Sequence, residues 1–135
     1  MSFLAERISQ LRIYLQHLRN LRARGIQTVD LEQNLSLRND VVHSLLMVAQ
    51  MVIDVAGELS ASAGLTFPDY RGAVENLRRL HFPSDLVDQL ALLPGFRNVV
   101  VHGYLRLDPS RVLQALETLE PVERFVALVA ERYGP

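Results

Sequence analysis

The stretch VVHSLLMVAQMVIDVAGEL, Val41 to Leu59, decides the fold. It is apolar almost all round, and a helix with that pattern must be buried on most of its sides. The helix that contains it spans about Ser36 to Ser62. One chain of 135 residues rarely surrounds such a helix by itself, so a dimer interface along it is expected. Four polar residues interrupt the apolar run. His43, Gln50, Asp54 and Glu58 are spaced so that they fall on one helical stripe. That stripe is either the wet side of the helix or the wall of a cleft. In the second case Asp54 and Glu58 are candidate lining residues.

The flanking segments supply helices to pack on it. Leu4, Ile8, Leu11, Leu15 and Leu18 alternate at spacings of four and three, which predicts a helix from Phe3 to Arg24 stopped by Gly25. Arg7, Arg12, Arg19, Arg22 and Arg24 lie mostly off its apolar stripe and read as a solvated face. A short helical turn is expected from Thr28. After the loop SAGLTFPD, a short helix to about Leu80 is expected, with Pro68 in its first turn. Ser84 reads as the cap of a helix from Asp85 to Tyr104 that Pro94 kinks or briefly breaks. Asp108 and Pro109 open a last helix to about Tyr133, bent at Pro121. No β-type alternation of useful length and no internal repeat is present. The expected architecture is all-α: one domain over residues 1–135, an antiparallel bundle of four or five helices, homodimeric.

Composition narrows the function. The chain has no cysteine, so disulfides, zinc–thiolate sites and a cysteine nucleophile are excluded. Its amino terminus carries Glu6, Arg7 and Arg12 within an apolar pattern, which is a helix and not a signal peptide. The dense apolar stretch from Val41 to Ala56 is short and interrupted for a membrane span. No membrane association and a cytoplasmic location are therefore expected. The net charge of −1 advertises no global basic field for nucleic acid. All 14 basic residues are arginine, a side chain suited to bidentate phosphate contacts.

Chemistry concentrates in RNVVVHGY, Arg97 to Tyr104. Given the 14 Arg, 4 His and 4 Tyr of this chain, R-x4-H-x-Y is expected by chance about 0.01 times. On an ideal helix Tyr104 lies about 20° from Arg97, whereas His102 lies about 140° away, near Asn98. Arg97 and Tyr104 share one face; Asn98 and His102 share another. A reaching arginine, a last turn loosened by Gly103, or a second protomer could bring them together. An imidazole exchanges protons at neutral pH, and a guanidinium holds phosphate and stabilises the charge of a phosphorane-like transition state. Together they suffice for metal-independent RNA cleavage by an adjacent 2′-OH. Each also has a plain structural use: a histidine near a helix carboxyl end, a surface arginine, a core tyrosine. His43 with Asp54 and Glu58 lacks tight ligand spacing, so no metal site and no cofactor are expected. His17 and His81 show no partner pattern and read as ordinary surface or loop histidines.

Over nearly its whole length the sequence resembles the HepT-like branch of the HEPN superfamily. The resemblance rests on the amphipathic first helix, the apolar second helix, FPDYRGAVENL, and LALLPGFRNVVVHGYLRLDPSRV, and is strongest in GFRNVVVHGY. It implies an all-α homodimer whose motifs meet at a cleft between protomers. It implies the toxin of a toxin–antitoxin pair, a metal-independent ribonuclease acting on RNA. Arg97 and His102 would be catalytic, with Asn98 in support. The implied partner is an MNT-type nucleotidyltransferase antitoxin that transfers AMP to Tyr104 and silences the toxin. An alternative is a non-catalytic helical subunit that binds substrate for, or regulates, that nucleotidyltransferase, with Tyr104 only its modification target.

Overall fold

A computed structural model describes residues 3–103 and 107–134. The first helix, α1, covers Phe3–Ala23 and buries Ile8, Leu11, Leu15, Leu18 and Leu21. Gly25 ends its exit turn at φ +68°, a left-handed conformation that glycine adopts without a Cβ clash. The short α2 covers Thr28–Gln33 and the long α3 covers Leu35–Ser62. Asn34 makes the corner between them: its Oδ1 accepts the Leu37 amide at 3.1 Å and so caps α3.

As its pattern requires, α3 is the core helix. Thirteen of its residues are buried, among them Val41, Val42, Leu45, Val48, Val52 and Val55. The cover comes from within the chain, because α1, α2 and several later helices all pack on it. Much of the cover that the sequence reading assigned to a second protomer is supplied by the same chain. Among the described residues only α3 is long and apolar enough to cross a membrane, but 61 % of its most apolar window is buried inside the protein.

The later helices are shorter than the sequence suggests, and prolines explain why. The α4 helix covers Tyr70–Glu75 and continues as one 3-10 turn, Asn76–Arg78. Pro68 lies outside it. Asp69 is the cap, accepting the Gly72 amide at 2.7 Å. The expected helix from Asp85 to Tyr104 is two helices, α5 at Ser84–Leu90 and α6 at Leu93–Gly103. Pro94 sits in the first turn of α6, where its missing N–H leaves no helical hydrogen bond unmade. Ser84 is the first helical residue rather than the cap, and its Oγ accepts from Arg78 Nη1 at 2.6 Å. The last helix is likewise divided into α7, Pro109–Glu117, and α8, Glu120–Tyr133, with Pro121 in the first turn of α8.

Of the two histidines read as surface or loop residues, His17 has a partner, and His81 is an exposed loop residue with an unusual backbone. His17 on α1 meets Asp40 on α3 at 2.7 Å, and Ser44 Oγ donates to the same carboxylate oxygen. His81 has φ +65°, and the carbonyls of Leu80 and His81 accept from the Arg132 guanidinium at 3.0 and 2.8 Å. That arginine ties the α4–α5 loop to the end of α8.

Candidate functional site

The motif lies on α6. Val100 is buried and holds the helix on the core, with Leu93 and Phe96 packed against it. Arg97 stands three residues before Val100, at the flank of that buried face, and turns toward α3. Asn98 and His102 are exposed. The helix runs unbroken through this region, so the two-face geometry predicted from the sequence holds for Arg97, Asn98 and His102. Tyr104 lies outside the described residues. Just beyond it, the Leu107 carbonyl accepts from Arg38 Nη2 of α3 at 3.3 Å.

Arg97 is held in place by neighbours on three elements. Its Nε donates to Gln50 Oε1 on α3 at 2.7 Å, and its Nη1 donates to Asn98 Oδ1 at 3.1 Å. Its guanidinium lies over the Tyr70 ring of α4, 4.9 Å from the centroid. Among the described residues Nη2 makes no hydrogen bond, which leaves one guanidinium edge for an incoming anion.

The network continues behind Gln50. Gln50 Nε2 donates to Asp54 Oδ1 at 2.9 Å, and Asp54 Oδ2 stands 3.8 Å from Arg7 Nε on α1. Arg7 Nη1 donates to Gln10 Oε1 at 3.0 Å. Its Nε is buried without a hydrogen-bond partner among the described residues. Asp54, Gly57, Arg7, Phe3, Phe67 and Tyr70 border an open cleft of about 310 Å³. The stripe on α3 is thus a cleft wall at Asp54. It is not one at Glu58, which is exposed and has Gly57 in its place on the lining. His43 packs edge-on against Tyr14, 6.3 Å between centroids. Among the described residues no group of three or more acidic or histidine side chains is placed to hold a metal ion.

Sequence patterns missed two members of this site. Arg7 reads as part of a solvated face, yet it reaches the Asp54 carboxylate. Tyr70 has no periodic signal of its own; only its place in FPDYRGAVENL marks it.

The architecture is that of solved HEPN toxins. The chain superposes on the tri-AMPylated HEPN toxin of Shewanella oneidensis, solved with its MNT antitoxin, with a TM-score of 0.84 at 20 % identity, covering 98 % of this chain and 100 % of that one. A toxin–antitoxin complex with AMP-PNP gives a TM-score of 0.84 at 20 % identity, covering 96 % and 98 %. A tyrosine-to-alanine mutant of the toxin–antitoxin MntA–HpeT gives 0.85 at 19 % identity, covering 97 % and 100 %. No curated protein matches the sequence. The family described as Ribonuclease HepT-like matches residues 4–129, nearly the whole chain, and the protein belongs to that family.

Proposed function

We propose that this protein is the toxin of a type VII-like toxin–antitoxin pair, a metal-independent endoribonuclease. Its cleft would be built by two protomers, and AMP transfer to Tyr104 by an MNT-type nucleotidyltransferase would silence it. Family membership and the toxin–antitoxin complexes among its structural neighbours support the class. The observation that supports the site is the pose of Arg97, held at Nε by Gln50 and at Nη1 by Asn98.

The chemistry follows from those groups. The guanidinium binds the scissile phosphate and stabilises the added charge as the phosphorane forms. His102 takes the proton from the ribose 2′-OH as its oxygen bonds to phosphorus. The bond from phosphorus to the 5′-oxygen breaks, and that oxygen takes a proton from water, while His102 gives the proton it accepted back to solvent. A 2′,3′-cyclic phosphate and a 5′-hydroxyl result. Asn98 supports Arg97 and lies one helical turn before His102. Leu92 and Val99, which share one side of the motif helix, are 71 % and 40 % exposed, apolar groups that a second protomer would bury. AMP on Tyr104 would bring negative charge and bulk to the phosphate site. The setting we propose is the cytoplasm, where RNA and the antitoxin are present.

The test is expression without the antitoxin, followed by incubation of purified protein with RNA in chelator. Growth should arrest and RNA should be cut, and Arg97→Ala or His102→Ala should remove both effects. Full toxicity in both variants, or no cleavage by the unmodified protein, would overturn the proposal.

A further inference from the structure

The cleft between the first turn of α1, the middle of α3 and the start of α4 has no part in the cleavage chemistry above. Its walls are aromatic. Phe3, Phe67 and Tyr70 remain 43 %, 38 % and 42 % exposed, so three large rings face solvent around one hollow. Its polar groups are a carboxylate and a guanidinium. Asp54 Oδ2 is an acceptor, and the Arg7 guanidinium beside it carries donors: it lies over the Phe3 ring, 4.7 Å from the centroid, with its own Nε buried 3.8 Å from Asp54. Gly57 keeps the floor open, since a Cβ there would already touch Phe67 Cζ at 3.4 Å.

Flat aromatic walls with an acceptor and a donor side by side complement a nucleobase, which offers a π face and adjacent donor and acceptor atoms on one edge. The volume, about 310 Å³, falls at the small end of ligand pockets. Tyr70 links the hollow to Arg97, the proposed phosphate ligand. Tyr70 lines the cleft and carries the Arg97 guanidinium on its ring, while Asp54 is bonded to the glutamine that holds Arg97. A base and its neighbouring phosphate are joined through one ribose, and here a base-shaped hollow and a phosphate ligand share Tyr70.

The geometry points to a subsite for one unpaired base of the RNA strand, beside the phosphate held by Arg97. The base stacks on Phe67, flanked by Phe3 under Arg7 and Tyr70 under Arg97, and its edge is read by Asp54 and the Arg7 guanidinium. This assignment rests on the ribonuclease function proposed above. It makes the enzyme select single-stranded RNA, because a base within a duplex cannot enter.

The test uses uncleavable ten-nucleotide 2′-O-methyl RNA, with one abasic residue or one 2-aminopurine walked through every position, and the full-length protein. At one position, loss of the base should weaken binding about 5- to 100-fold, and 2-aminopurine there should be quenched by stacking. Phe67→Ala, and Gly57→Leu as a plug, should each erase that difference, with circular dichroism confirming that both variants fold. Equal binding of intact and abasic strands, with ordinary RNA still cleaved, overturns the base subsite and leaves the ribonuclease standing. Neither binding nor cleavage overturns both. Free AMP binding more tightly than any strand also overturns it, by giving the cleft to a mononucleotide.

Discussion

Gln50→Leu removes the clamp on Arg97 while leaving every motif residue in place. The glutamine makes two hydrogen bonds to charged groups, accepting from Arg97 Nε at 2.7 Å and donating to Asp54 Oδ1 at 2.9 Å. Such bonds contribute about 1.5–3 kcal/mol each when desolvated. Both are only part-buried here, so water replaces much of what is lost. The expected loss of Arg97 positioning is about 1 kcal/mol, or roughly five- to tenfold in kcat/KM. The leucine lies on a helix face already in contact with α6, so the melting temperature should change little. The assay is cleavage of a short RNA in chelator across a pH series. The rate should fall while the shape of the pH profile is kept, because the imidazole is untouched. Gln50→Glu should be worse, since a carboxylate there claims the guanidinium charge and crowds Asp54. If Gln50→Leu leaves kcat/KM within twofold while Arg97→Ala abolishes it, the clamp is irrelevant to catalysis and the reasoning fails.

Other expectations concern the scaffold. Asn34→Ala removes the α3 cap and should cost about 1 kcal/mol, about 3 °C in a thermal melt. Leu11→Ala, at a fully buried position between α1 and the core, should cost about 2–5 kcal/mol by urea titration; a change below 1 kcal/mol would contradict its placement. Acid stability should depend on Asp108 and Asp85. The hydrogen bonds from Ser110 hold Asp108 below its ordinary value of 3.8, and the hydrogen bond from Arg124 does the same for Asp85. Carboxylates lowered on folding stabilise above their unfolded pKa and lose that contribution as pH falls through the folded value. Asp108→Ala with Asp85→Asn should therefore lower stability at about pH 7 and shrink the difference in stability between about pH 7 and pH 2, read from melting curves.

Much of the architecture was legible because it is written in periodicity. The apolar run of α3 and the leucine spacing of α1 demanded burial, and the two helices pack together. Boundaries were less legible where prolines were involved. At Pro94 the brief break, one of the two expected outcomes, is what occurs; Pro121 does not bend a long helix but begins a new one, because a first turn tolerates a missing N–H and a helix interior does not. Asp69 rather than Pro68 starts α4, a choice made by one side-chain hydrogen bond. That α1 and several later helices of the same chain supply much of the cover on α3 is something no local pattern reveals. At the site, the angular split of Arg97 from His102 followed from helix geometry. The reach of Arg97 to Gln50, and of Arg7 to Asp54, depends on tertiary placement across α1, α3 and α6. Tyr70 under the guanidinium was invisible for the same reason.

Arg97 and His102 lie on different faces of one helix, so a site that uses both should be completed between protomers. Co-expression of the Arg97→Ala chain with the His102→Ala chain tests this directly. Each homodimer lacks one essential group, whereas the mixed dimer can bring an intact Arg97 and an intact His102 to the same cleft. Purified mixed dimers should recover RNA cleavage in chelator that neither parent shows. Mixed dimers that form but stay silent, beside an active unmodified protein, would contradict a cleft shared between two chains.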